Sequence, residues 1–217
     1  GGRVTVINAL GYDPAAFTAF GTTQRARVSR FVETFEIMRL LLEKDGVTYK
    51  GRHYSIDAPI SLNPKPINRP LPMWIAGGAE PAIKRAARLG DGWNIAPGFT
   101  PDMVRQGIKV YRDALSEFGR DEADMDIILR RDTHLAATSD AGHREAQTLF
   151  ENGYRGFGAE ELERSLITGG PSECIEYLED MERAEVTHVL FGCALAEVEQ
   201  ALQTIRVLWD DVLPHFK

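Results

Sequence analysis

Between residues 24 and 44 apolar side chains return at helical intervals: Val28, Phe31, Val32, Phe35, Met38 and Leu42 form one stripe on a polar segment. That spacing predicts a helix, and Gly46 ends it. Residues 3–10 (RVTVINAL) are mostly β-branched and apolar without alternation, the pattern of a strand buried on both faces. β-Formers on either side of Lys50-Gly51 predict a small hairpin over 47–56. Residues 58–72 hold five prolines, which regular structure does not tolerate, so a surface excursion is expected there.

Beyond residue 72 the pattern repeats. Strand 73–76 leads to helix 81–89, strand 92–96 to helix 101–118, and strand 126–137 to a helical stretch from about 140. Helix 171–184, strand 187–192 and a last helix over 196–213 follow. In that last helix Val198, Leu202, Ile205, Trp209 and Val212 share a face. Strands alternating with helices mean parallel pairing through right-handed crossovers. Five parallel-type strands are expected, with no composition break to mark a second domain. An eight-stranded barrel typically needs about 250 residues. The pattern alone therefore leaves an open doubly wound sheet or the later part of a barrel.

Composition narrows the class. The chain of 217 residues is 43% apolar and 26% charged, as in a soluble globular domain with a sizeable core. A net charge of -7 without a basic stripe argues against a nucleic-acid surface. The apolar runs fall far short of the roughly 20 residues of a membrane span, and no signal-peptide layout occurs. Cys174 and Cys193 are the only cysteines, which suits a reducing cytoplasm and offers no metal spacing. The five histidines lack H-x-x-x-H and H-E-x-x-H spacing, so no metal is expected.

The stretch MWIAGGAEPAIKRAARLGDGW (73–93) carries the candidate chemistry. Gly77 and Gly78 end a strand and run straight into a helix, leaving peptide N–H groups at a positive helix terminus that suits a phosphate. Missing Cβ atoms allow close approach, and Pro81 fits the start of a helix. A tight strand-to-helix turn with no ligand explains the same residues. The motif is neither G-x-G-x-x-G nor a P-loop.

That run resembles the signature of the bacterial-luciferase-like family of flavin- and F420-dependent oxidoreductases. GYDPAAFTAFG (11–21) with RFVETFEIMRLLL is similar to the family segment after its fourth barrel strand. VTYKGRHYSI resembles its hairpin, PLPMWIAGG its fifth strand, ITGGPSECIEYLEDMERAEVTHVLF its penultimate helix and last strand, and LPHF its closing residues. The likeness implies a TIM-barrel-type α/β fold present as its later strand–helix units, about the fourth to the eighth. It implies one luciferase-like barrel domain over 1–217, N-terminally incomplete and starting at Gly1-Gly2 without an initiator methionine. A cut or split form of a longer barrel, or a partner that completes it, is then expected, with stray pairing at strands 3–10 and 187–192.

The resemblance also implies residues. Gly77 and Gly78 match the family's phosphate-binding turn, with Ala76 and Ala79 flanking it. Gly11 and Tyr12 stand where the family approaches the cofactor phosphate or ribityl chain, and Asn94 lies near the barrel mouth. Many members carry a glutamate where this chain has Ala15 or Ala16, a departure in that loop. Gly169 and Gly170 are second phosphate contacts or a plain helix cap. Trp93 is expected in the wall and His134 as a hydrogen-bonded core histidine. His188 falls at the wrong end of its strand for chemistry, and nothing near Cys193 would lower its pKa. Lys84, Arg85 and Arg88 read as a solvated face.

The implied activity is that of an oxidoreductase or monooxygenase using FMN or coenzyme F420 on a small organic substrate. Its catalytic side chains fall mainly outside the matched units, so none is assigned. The partners expected are a small-molecule substrate and a second copy in a homodimer, or a complementary N-terminal chain, in the cytoplasm. The rival readings are a non-catalytic or split cofactor-binding fragment, and a barrel enzyme that binds a phosphosugar at the same turn.

Overall fold

A computed structural model describes residues 1–152, 166–193 and 197–216. The chain divides into two compact units, 1–76 and 77–217. In the first, β1 (Val6–Asn8) pairs in parallel with β4 (Met73–Gly77), Val6 opposite Met73 and Asn8 opposite Ile75. The strand expected over 3–10 shortens to three residues. It is not buried on both faces: Val4 and Ile7 are exposed, so β-branched composition overstated its burial. A short helix α1 (Pro14–Ala19), which the apolar pattern does not predict, starts where Asp13 Oδ1 accepts from the Ala15 N–H at 2.9 Å.

Helix α2 (Arg27–Glu43) and the hairpin of β2 (Val47–Lys50) and β3 (Ser55–Ile60) complete the unit. One carboxylate ties them together. Glu33 is 9% exposed and accepts from the N–H groups of Arg52, His53 and Tyr54 at 2.8–3.1 Å. Burial pushes its pKa up, but the N–H donors of His53, Arg52 and Tyr54 prevail and hold it below the usual carboxylate range. Lys65 closes the other end of α2, its Nζ donating to the carbonyls of Leu41 at 2.8 Å and of Lys44.

In the second unit α3 (Glu80–Leu89), β5 (Gly92–Ile95) and α4 (Pro101–Glu117) follow the expected alternation. Strand β6 (Asp126–Leu135) is the hub and pairs in parallel with three others. It meets β5 with Gly92 opposite Asp126, β7 (Leu166–Gly169) with Leu135 opposite Gly169, and β8 (His188–Gly192) with Ile128 opposite His188. Strand β7 is additional to the five expected. At four residues it is too short to show a period.

Helices α5 (Ser139–Asn152), α6 (Pro171–Arg183) and α7 (Val198–Val207) follow β6, β7 and β8 in turn. Residue 196, the expected start of the last helix, lies outside the described residues. The α-helix also stops before 213, giving way to a π turn at 208–212 and a 3-10 turn at 213–216. Leu135, Ile167, Cys174, Leu178, Val207, Leu208 and Val212 form a buried core cluster. No helix among the described residues is long and apolar enough to cross a membrane.

Candidate functional site

Strand β4 runs through Gly77, and α3 begins at Glu80, so two residues make the turn. Ala79 is the N-cap, with extended backbone and a methyl group that caps nothing. Its carbonyl accepts from Ala82 at 2.7 Å and Ile83 at 3.1 Å, which closes the first turn. The N–H groups of Gly78, Ala79 and Glu80 find no acceptor among the described residues. They are the open donors of a helix start, aligned with the positive end of its dipole. Glu80 adds a carboxylate to this turn, but Lys84 engages it at 2.8 Å and draws its pKa down.

Neither glycine has a positive φ; what each requires is room. A Cβ on Gly77 would stand 2.5 Å from the Cβ of Ala82, and one on Gly78 would stand 2.9 Å from the Phe99 ring. The fully buried Trp93 donates its Nε1–H to the Gly77 carbonyl at 2.8 Å. Phe99 meets Trp93 edge-on at 6.4 Å. Gly107 on α4 leaves space for the indole, because a Cβ there would run into it. The turn is therefore held from its carbonyl side while its donors stay open.

Gly77, Gly78 and Ala79 thus come together in one turn. Asn94 is 8% exposed on β5, and its Oδ1 is buried without a hydrogen-bond partner. In the first unit Ala76 is half-buried within β4. Gly11 has φ 73°, a conformation that requires glycine, and the Tyr12 side chain is 88% exposed. Arg85 is buried rather than on a solvated face, its long stem covered by the packing of α3.

One further cavity was not anticipated from sequence. In the first unit Leu10, Phe17, Thr22, Arg27, Arg30 and Phe31 line a cavity of about 210 Å³. Thr22 Oγ1 is buried with no partner, and neither arginine has a carboxylate within 4 Å among the described residues. The signal was available: Arg27 and Arg30 are three apart on a helix and share a face.

The second glycine pair is filled from within. Gly170 is the N-cap of α6, and its N–H donates to Glu173 Oε2 at 2.8 Å. Glu173 Oε1 meets His143 Nε2 at 2.8 Å. The Gly170 N–H, against an opposing push from burial, holds Glu173 below the usual carboxylate range, and His143 and Ser139 add to it. His134 is a buried core histidine bonded to Glu145 at 2.9 Å. His188 sits at the start of β8 beside Thr187 Oγ1. Burial pushes the Cys174 thiol up to about 12 and raises that of Cys193, where Asp132 contributes.

Comparison with known proteins agrees with this architecture. The model of the luciferase-like monooxygenase family matches residues 1–188. An F420-dependent glucose-6-phosphate dehydrogenase of Amycolatopsis mediterranei is 25% identical over 89% of this chain and 62% of its own length. The crystal structure of the monooxygenase RslO1 from Streptomyces bottropensis superposes with a TM-score of 0.81 at 21% identity, covering 100% of this chain and 70% of that one. A Baeyer–Villiger monooxygenase constituent of Pseudomonas putida, solved with FMN, gives 0.75 at 14% identity, covering 98% and 71%. The chain spans 30–62% of the length of the curated relatives it matches. Its fold is the TIM-barrel-type α/β fold of these neighbours, represented by the later strand–helix units.

Proposed function

Because the chain belongs to the luciferase-like monooxygenase family, we propose that it serves an oxidoreductase acting on a small organic substrate, with a coenzyme phosphate seated on the amides of residues 78–80. The coenzyme we favour is F420, since the curated relatives are F420-dependent dehydrogenases, with FMN as the tested alternative. The observation that carries the reading is the open start of α3, beside a second glycine-led helix whose N-cap N–H is filled. Gly77 and Gly78 admit an anion to peptide N–H donors without a methyl in the way. Ala76 and Ala79 frame the turn, and Asn94, whose buried Oδ1 has no partner, is proposed as a further contact.

When bound, the coenzyme supplies the hydride transfer or O2 chemistry. The chain's own part is to hold the anionic tail and orient the ring. Trp93 and Phe99 keep the turn rigid and its carbonyl side dry.

Ala79→Asp tests this without damaging the fold. An aspartate at the N-cap shares the Ala82 N–H, since Pro81 offers none, and complements the positive helix end, stabilising the helix by up to about 1 kcal/mol. It also places a negative charge where the phosphate would sit. Titration of the purified chain with F420 and with FMN, followed by fluorescence, should show saturable binding of one of them. Ala79→Asp should weaken that binding about tenfold or more while raising Tm. A higher Tm with unchanged affinity, or no binding of either coenzyme, overturns the proposal.

A further inference from the structure

A buried cation holds the loop that walls the double glycine. Arg131, on β6, is 1% exposed. Its Nε donates to the Tyr177 hydroxyl at 2.7 Å, its Nη1 to the Arg130 carbonyl at 3.0 Å and its Nη2 to the Phe99 carbonyl. All three acceptors are neutral. Burial pushes the Tyr177 phenol up, against the pull of the guanidinium, so it is no phenolate at neutral pH. Among the described residues no carboxylate lies within 4 Å of Arg131, whereas its neighbour Arg130 pairs with Asp132 at 3.1 Å. A guanidinium buried without a counter-ion is costly, and an apolar side chain would avoid that cost.

What Arg131 grips explains the arrangement. Phe99 stands between Gly98, at φ 88°, and Thr100, the N-cap of α4. Without a tether at that carbonyl the loop could swing about Gly98. The Phe99 ring lies directly against Gly78 and edge-on to Trp93, which in turn holds the Gly77 carbonyl.

We propose that Arg131 is the positioning residue of the phosphate turn, fixing the 96–100 loop so that the Phe99 ring walls the open N–H of Gly78. This rests on the phosphate reading of that turn. The probes are two pairs, FMN with riboflavin and F420 with its phosphate-free chromophore, and the quantity read is the affinity ratio within the pair that binds. The wild-type chain should prefer the phosphate-bearing form by about tenfold or more. Arg131→Met should shrink that ratio to about two. Phe99→Ala should shrink it similarly, and the double variant should lose no more than the larger single loss, because both act through one wall. Arg131→Lys keeps the charge without the three-pronged grip and carries the same expectation if the Met variant does not fold.

A ratio preserved in the Arg131 variants, or single losses that add in the double variant, overturns the role of Arg131. Absence of any phosphate preference in the wild-type chain, together with no effect of Ala79→Asp, overturns the turn reading and this role with it. A drop in Tm at constant ratio marks Arg131 as structural only.

Discussion

Gly77-Gly78 leads through Ala79 into Glu80-Pro81, and Gly169-Gly170 leads straight into Pro171. Both pairs follow a parallel strand, and each next helix carries proline in its first turn. They differ three residues past the N-cap. On α6 that position is Glu173, whose carboxylate folds back onto the Gly170 N–H. On α3 it is Ala82, which cannot reach back, and the only acid in that first turn is engaged by Lys84. The glycine–proline signature therefore locates a helix start, and the third residue inside decides whether the N-cap N–H stays free for a ligand.

The sharpest way to break the contrast is Gly77→Val. Its Cβ would collide with that of Ala82, neither of which can move without its backbone, so stability should fall by about 3 kcal/mol. An unchanged urea midpoint would show that α3 does not approach the strand end so closely. Next comes Glu173→Ala, which empties the filled terminus and should cost about 1 kcal/mol at neutral pH. The sign with acid follows from the lowered pKa of Glu173. The unfolded chain holds its proton more tightly, so the stabilisation is full above the ordinary value of 4.5 and fades as pH falls below it. Stability curves of the two proteins should thus converge in acid, and parallel curves would remove Glu173 from the cap. The smallest effect is Glu80→Gln, which takes a negative charge from the open terminus. Coenzyme affinity should rise about twofold, and a fall would show that Glu80 helps the ligand.

Much of the alternation was legible because each long element carried its own period: α4, for instance, buries Val104, Ile108, Tyr111 and Leu115 as spacing demands. The last helix shows where that logic slips. Of its expected stripe, Val198, Leu202, Ile205 and Trp209 are exposed and Val212 is buried, while Thr204 is fully buried. Thr204 Oγ1 accepts from the Leu135 N–H at 3.0 Å, so a polar residue faces the strand end and period-counting places it outside. The double glycine was equally visible, since a strand, two glycines and a proline are adjacent in sequence. Arg131 and Phe99 were not, because their link spans 32 residues and consists of one side chain meeting one carbonyl.

The hydrogen bond from Trp93 to the Gly77 carbonyl reaches further than anchoring. That oxygen and the nitrogen of Gly78 belong to a single conjugated amide. Electron density drawn toward the indole leaves the opposite hydrogen more electropositive, so the aromatic ring tunes the acidity of a donor it never touches. Polarisation runs in both directions: a negative group arriving on the nitrogen side makes the oxygen a stronger base toward the indole. An anion bound at the turn would thereby shift the resonance frequency of a tryptophan proton sealed in the interior.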